Sequence, residues 1–264
     1  MTGSTSPRDN WVSLPKKVLT IALCADGLLL LLYALTAPLP RTPAAKPLVF
    51  LFDLNGEGNA PAWFSGMQLL LIGLSCFALA LWFFQDDERV APLRRLFLAM
   101  GAGFTYLSAD EIGQVHENLS QVLQAWHWLN QVETHALAAL GRKMHRLHGG
   151  SIWIPLFAVI GVALLWWLWP QLKLAWKLWR REVLLLAVGF ATLAVGAVIV
   201  ESLGDLIPKA ALAMRAVEVG VEEGLELVGA SVMLYAVTRI LAAAGARLLP
   251  AAPAATPTPN TPAE

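Results

Sequence analysis

Carboxylates stand at the ends of three hydrophobic segments of this chain, and they are the side chains best suited to chemistry. They fall in the stretch Ser108–Glu117, at Glu201 with Asp205, and between Glu218 and Glu226. Ionisable groups at membrane depth are costly, so they usually face a protein interior or a wet cavity and mark a working site. Carboxylate oxygens with one imidazole suit Mn²⁺, Fe²⁺, Zn²⁺ or Mg²⁺. The sequence therefore predicts a divalent metal site built from these segments.

The residues of this predicted site have separate expected roles. The candidate metal ligands are Glu57, Glu111, His116, Glu201, Glu222, Glu223 and Glu226, and Asn59 in the same outer loop as Glu57 could complete the site. The candidate general bases are Asp110 and Glu117. The spacing is neither the paired Glu-x-x-His of di-iron bundles nor the His-Glu-x-x-His of zinc proteases, so it does not identify the metal. The alternative is a solvated vestibule held by ion pairs, such as Arg215 with Glu218, in which His116 is a packed polar residue.

The composition places these segments in a membrane. Hydrophobic residues make up 57% of the 264 and charged residues only 14%, a balance too apolar for a soluble domain. A membrane-spanning helix needs about 20 mostly apolar residues, and no part of the chain alternates as a strand would. The predicted fold class is all-α, a polytopic membrane bundle of six helices: Val18–Pro38, Ser65–Phe84, Leu96–Glu117, Ile152–Trp169, Val183–Glu201 and Ala216–Thr238.

The remaining segments are predicted to be tails and loops. Residues 1–15 are polar and are expected to form a cytoplasmic tail, followed by a membrane domain over residues 16–244. Residues 245–264 are rich in Pro, Ala and Thr and are expected to be a disordered cytoplasmic tail. Residues 118–150 carry apolar residues at three- and four-residue spacing, which predicts an outer interfacial helix between spans three and four.

Basic residues favour the side of the membrane on which the chain begins. Arg94-Arg95 and Arg180-Arg181 are tight pairs in two loops on that side. Because Lys and Arg concentrate in cytoplasmic loops, both termini are predicted to be cytoplasmic. The carboxylates then lie on the outer side of the membrane.

Helical geometry predicts that the carboxylates of span six share one side of their helix. At 100° per residue, its four glutamates fall within about 140° of one another. Gly220 and Gly224 lie on the other side, where small residues allow another helix to approach closely.

Asp26 is an ionisable residue among Leu and Ala in span one. Such a residue needs a partner inside the protein. Asp26 is therefore predicted to pair with Lys17 or with a neighbouring helix, in a structural role.

The sequence resembles a family of uncharacterised bacterial polytopic membrane proteins in three places. The family carries an outer-loop Phe-Asp-Leu-x-x-Glu-x-Asn-x-Pro-x-Trp-Phe-Ser element, a Ser-x-Asp-Glu-x-x-x-x-His-Glu element and a late Glu-Glu-x-x-Glu element. In this chain they are Phe52–Ser65, Ser108–Glu117 and Glu222–Glu226. The resemblance implies a multi-pass protein of the bacterial cytoplasmic (inner) membrane whose three elements form one site. It implies no particular reaction.

Two functions from different classes fit the predicted site. One is a metal-dependent enzyme acting on a lipid or lipid-linked substrate reached from the outer leaflet. The other is a cation- or proton-coupled transport protein in which the carboxylates bind and release an ion, and a non-catalytic subunit of a membrane complex is a third. A transport path also needs polar groups in the inner half, where Asp26 is the only obvious one, so the one-sided enzyme site is favoured. The net charge of zero gives no argument for nucleic acid, and membrane lipid is the expected partner.

Overall fold

The computed structural model describes residues 7–40, 42–56, 58–85, 87–113, 115, 153–204, 207–208 and 211–248. In this part of the chain every regular element is a helix, which confirms the all-α prediction. The helices are α1 (Pro7–Thr36), α2 (Lys46–Leu51), α3 (Ala60–Ala78), α4 (Arg94–Gly113), α5 (Trp153–Trp167), α6 (Trp169–Leu178), α7 (Arg180–Ala194), α8 (Glu201–Gly204) and α9 (Leu212–Leu248). π-Helical turns continue α3 and α7, at Leu79–Phe83 and Val195–Val200, and a 3₁₀ turn at Ala91–Leu93 precedes α4.

Several of these helices have the length and composition of membrane spans. Four qualify outright within the described residues: Trp11–Thr36, Ala60–Phe83, Arg180–Val200 and Leu212–Ala246. A fifth arises if α5 and α6, which meet at an angle of 66°, form one broken span. Pro170 lies at the start of α6 and has no N–H with which to continue the hydrogen bonding of α5. These helices support a multi-pass membrane protein.

The prediction of six spans is not confirmed, because α4 is less apolar than the other long helices. It covers most of predicted span three, but its last turn carries Asp110 and Glu111. It is therefore absent from the helices that qualify by length and composition.

α3 and α4 form an antiparallel pair with close backbone contact. Gly66 of α3 lies against Ile112 of α4, and Phe77 of α3 lies against Gly101. A Cβ atom added to Gly73 would lie 3.1 Å from the carbonyl oxygen of Gly101, so glycine is what lets these backbones approach. This pairing puts the end of α4 beside the start of α3.

α9 is the central helix, and α1 packs along one of its faces. Gly220 and Gly224 of α9 lie beside α1, where Leu30 is the neighbour of Gly224. At the other end of the helix pair, Trp11 lies against Gly245. The two helices are therefore antiparallel, and the glycine side of α9 faces α1. The nearest atoms to Gly220 and Gly224 are side-chain carbons at ordinary contact distance, so the close backbone approach expected from the sequence does not occur there.

α7 packs along a second face of α9, also antiparallel and at closer range. A Cβ atom added to Gly229 would lie 2.6 Å from the carbonyl oxygen of Gly189 and 2.7 Å from the backbone nitrogen of Leu193. Further along, Gly196 lies against Glu222 and Glu226 of α9. The start of α9 and the end of α7 are thus at the same end of the bundle.

The opposite end of the bundle is closed by aromatic rings and an ion pair. Phe84 stacks on Trp179 at 5.7 Å between centroids, and Phe97 meets Phe84 edge-on at 5.2 Å. Arg239 donates from Nε at 2.8 Å and from Nη2 at 2.6 Å to the Oε1 atom of Glu182. These contacts hold α3, α4, α7 and α9 together at the end where the basic pairs of the sequence lie.

Candidate functional site at the acidic end of the bundle

Carboxylates from three separate parts of the chain meet at one end of the bundle. We call this the acidic end; its described members are Asp53, Glu111, Glu218, Glu222, Glu223 and Glu226. The helix pairing explains the convergence, because the end of α4, the end of α7 and the start of α9 all lie here. Two of the three carboxylate segments predicted from the sequence, those of α4 and α9, contribute described members to the acidic end.

Glu223 lies at the centre of these interactions. Its carboxylate interacts electrostatically with the neighbouring Glu226 and Glu222 of α9, with Glu111 of α4, and with Asp53 in the loop before α3. Like charges at close range in a poorly solvated place repel strongly. The arrangement is stable only if protons, a bound cation or basic groups compensate part of this charge.

Tyr33 brings α1 into the same region. Its side chain is buried, with 8% of its surface exposed, and it interacts electrostatically with Asp53, Glu218 and Glu223. A phenol beside carboxylates offers them an O–H donor. Sequence reasoning missed this residue, since a single Tyr near the end of an apolar span carries no signal by spacing.

The glutamates of α9 divide between two neighbours rather than facing a single one. Glu226 lies against Gly196 and Glu218 lies against Gly204, both beyond the end of α7, whereas Glu223 faces Glu111 of α4. An arc of about 140° on one helix is wide enough to meet two neighbouring helices. The side of α9 that carries the glutamates therefore lies between α4 and the end of α7.

Asn59 holds the loop before α3 in place through its side-chain hydrogen bonds, and it does not contribute its side chain to the site. Asn59 is buried; its Oδ1 accepts from the backbone N–H of Ala62 at 3.2 Å, and its Nδ2 donates to the carbonyl oxygen of Asp53 at 2.6 Å. It is thus the N-cap of α3 and fixes the position of Asp53.

The Asn59→Ala variant is expected to lose about 1 kcal/mol of stability, as is typical of a lost N-cap. Asn59→Asp is the matched variant, since it keeps the cap acceptor and loses only the donor to Asp53. Thermal unfolding in detergent is expected to rank the wild type above Asn59→Asp and Asn59→Ala lowest. Equal melting temperatures for all three would contradict the capping role.

The other predicted site residues divide between described and undescribed positions. Asp110 lies one turn after Tyr106 on α4 and interacts with it electrostatically. Glu201 begins α8, but its side chain lies outside what the structure describes. Glu57, His116 and Glu117 also lie outside the described residues. Among the described side chains, no group of three or more His, Cys, Asp or Glu is arranged to hold a metal ion.

A second polar group, in the middle of the bundle, was only partly foreseen. Asp26 of α1 is 1% exposed, Gln68 of α3 is 3% exposed and Ser231 of α9 is fully buried. Gln68 Nε2 donates to Asp26 Oδ1 at 3.1 Å and to Ser231 Oγ at 2.8 Å, and Ser231 Oγ donates to Asp26 Oδ2 at 2.6 Å. Asp26 thus pairs with neighbouring helices, the second of the two predicted alternatives, and not with Lys17.

We call Asp26, Gln68 and Ser231 the central triad. In the sequence, Gln68 was the residue that could have indicated this polar group, because a glutamine within an apolar span must find a hydrogen-bond partner there. Nothing in the sequence indicates which partner it finds.

Comparison with known families gives one match. The model of a domain of unknown function, DUF8692, matches residues 19–240, which run from within α1 through most of α9. No curated protein and no solved structure matches the chain significantly. The match agrees with the resemblance to an uncharacterised family and covers both the acidic end and the central triad.

Proposed function

The chain belongs to the DUF8692 family, and we propose that it is an integral membrane protein whose acidic end binds a divalent metal ion and uses it on a lipid or lipid-linked substrate. The observation that carries this proposal is the convergence of Asp53, Glu111 and Glu223 from three chain segments. Charge of one sign gathered from distant segments is expensive, and a divalent cation compensates it well.

The expected ligands are of two kinds. Glu111, Glu222, Glu223 and Glu226 supply carboxylate oxygens at the acidic end. Glu57, His116 and Glu201 are the further ligands proposed from the sequence, and they supply the imidazole and the carboxylates that would complete a mixed oxygen and nitrogen shell. Asp110 or Glu117 is the proposed general base. A metal so held lowers the pKa of a bound water or polarises an ester or phosphate group.

Two features favour a membrane substrate from the outer side. The acidic end is opposite the end that carries the basic pairs Arg94-Arg95 and Arg180-Arg181, and by the positive-inside rule the basic end is cytoplasmic. Apolar side chains near the acidic end are exposed, among them Ile112 of α4, Val115 two residues beyond its end, and Leu212 of α9. A lipid reaching the acidic end would therefore meet an apolar surface first.

The test is lipid turnover by the full chain in nanodiscs of bacterial phospholipids, followed by mass spectrometry with Mn²⁺ or with a chelator. We expect metal-dependent turnover that falls by about 100-fold or more in Glu223→Gln, since even indirect partners of a metal cost about 10–100-fold when removed. Glu88→Gln, an exposed change in the turn between α3 and α4, is the control and should retain turnover. Turnover that is equal in Glu223→Gln and wild type would contradict the proposal.

Cation- or proton-coupled transport is the second candidate, and the central triad favours it. Asp26 and its partners are polar groups deeper in the bundle than the acidic end, and a one-sided site does not need them. Ion flux into sealed vesicles separates the two functions. Flux that depends on both Glu223 and Asp26, without lipid turnover, would support transport and contradict the enzyme.

A further inference from the structure

Three side-chain contacts at hydrogen-bond distance join Asp26, Gln68 and Ser231 in the central triad. Both hydrogens of the Gln68 amide are used, on Asp26 Oδ1 and on Ser231 Oγ, and the Ser231 hydroxyl donates to Asp26 Oδ2. With Ser231 as the donor, both carboxylate oxygens accept, as they do in an ionised carboxylate. The interactions with the Asp26 carboxylate come from these two neutral side chains.

The triad has two unfavourable features in the middle of the bundle, and only the first depends on the ionised form of Asp26. A full negative charge is buried without a positive partner among the interactions that it makes. In addition, Gln68 Oε1 is buried and has no hydrogen-bond partner among the described residues. A group whose only purpose was to join helices could do so with neutral side chains and avoid the first cost.

A proton removes the buried charge without moving any heavy atom. If Asp26 Oδ2 takes the proton, it can donate across the same 2.6 Å contact to Ser231 Oγ. The Ser231 hydroxyl then turns to the carbonyl oxygen of Leu227, one helical turn earlier, which is a common partner for Ser and Thr in helices. Gln68 keeps both of its donations, and the triad remains intact.

This second hydroxyl position is the usual one in this protein. Four threonine hydroxyls on its long helices donate to the carbonyl oxygen four residues earlier: Thr20 to Lys16, Thr36 to Leu32, Thr192 to Val188 and Thr238 to Leu234. The buried hydroxyl of Thr105 makes no such bond among the described residues. Ser231 differs from these residues because it donates to Asp26 instead. The carbonyl oxygen of Leu227 is the equivalent acceptor for Ser231.

The chemistry of the triad suits a proton better than a metal ion. Gln68 directs its amide nitrogen at both partners, so a metal cation would meet N–H hydrogens rather than oxygen atoms. Both carboxylate oxygens are also already in contact with donors at hydrogen-bond distance. A proton needs only one of these contacts to reverse its direction.

The nearest other titratable groups can be named for each of the three helices that carry the triad. On α9 the nearest are Glu226, five residues before Ser231 or about 7.5 Å along the axis, and Tyr235, four residues after it. On α1 they are Cys24 and Tyr33, and on α3 the nearest is Cys76. The closest titratable groups on the central helix are therefore Tyr235, one turn after Ser231, and Glu226 at the acidic end.

We propose that Asp26 is a proton-binding group in the middle of the bundle and that Ser231 and Gln68 hold it in both its ionised and its protonated form. This site is separate from the metal site proposed at the acidic end. It takes up a proton and releases it again through the rotation of one hydroxyl group.

Difference infrared spectroscopy of the full chain in nanodiscs, with a chelator present, tests the proposal. The buffer is changed from about pH 9 to about pH 5, a range in which buried carboxyl groups titrate. The carbonyl stretch of a protonated carboxylic acid is expected to appear in the wild type, and that component is expected to be missing from Asp26→Asn. An asparagine side chain at this position has the same size and can still accept and donate hydrogen bonds, so the variant is expected to fold.

A second variant keeps the test decisive. In Ser231→Ala the same band is expected to persist at a shifted frequency, because the acid has lost its hydrogen-bond acceptor. Identical difference spectra for wild type and Asp26→Asn would overturn the proposal, since Asp26 would then hold one protonation state throughout. A band that Ser231→Ala leaves at an unchanged frequency would also overturn it.

Discussion

Gly229→Ala is expected to lower the stability of the bundle by about 3 kcal/mol, the upper part of the usual range for overpacking. The new Cβ atom would lie 2.6 Å from the carbonyl oxygen of Gly189 and 2.7 Å from the backbone nitrogen of Leu193. Both are backbone atoms, which cannot turn away as a side chain can, so α7 and α9 must separate. Thermal unfolding in detergent measures the loss.

Gly224→Ala is the matched control on the same helix. Its Cβ atom would meet only Leu30 side-chain carbons, at 3.4 and 3.5 Å, which is ordinary contact. Alanine also favours a helix over glycine by up to about 1 kcal/mol. We therefore expect Gly224→Ala to be neutral or stabilising, and an equal loss in both variants would contradict the packing described for α7 and α9.

Gln68→Leu is expected to cost about 2 kcal/mol. It removes the donor to Asp26 Oδ1 and the donor to Ser231 Oγ at once, and hydrogen bonds to charged groups are worth about 1.5–3 kcal/mol. The loss arises mainly because Asp26 stays buried with one donor instead of two. Equilibrium unfolding of the Gln68→Leu variant measures this loss of stability.

The triple variant Asp26→Leu, Gln68→Leu, Ser231→Ala is the comparison. Replacing all partners of a buried polar group by apolar residues is often nearly neutral, since nothing is left unsatisfied. The triple variant is therefore expected to be more stable than Gln68→Leu alone. A cost equal to the sum of the single changes would show that the three side chains act independently, against the network described.

The sequence predicted the helical bundle because long apolar segments are a local pattern. Long apolar segments predict membrane helices, and the charged ends of those segments predict which end they share. The weak point was α4, where Asp110 and Glu111 lower the apolar content and leave the number of spans unconfirmed. The composition of a helix does not decide whether it spans the membrane when charged residues lie within its own length.

The sequence could not predict which distant residues contact one another. Asp26 and Gln68 could each be recognised as polar residues in apolar spans, but their pairing with Ser231 depends on how three helices pack. Asn59 was expected to contribute to the site, and the structure gives it the role of an N-cap. Pairing between helices depends on side-chain packing, and the periodicity along one helix does not specify how it packs against another.

The metal content of the purified full chain tests the central claim most directly. The protein is isolated in detergent, incubated with Mn²⁺, Fe²⁺, Zn²⁺ and Mg²⁺, dialysed and measured by mass spectrometry beside a Glu222→Gln, Glu223→Gln, Glu226→Gln variant. A divalent metal bound in about one-to-one ratio in the wild type and lost in the variant is the predicted result, because these carboxylates are ligands that such ions prefer. No bound metal in either protein would contradict a metal site at the acidic end.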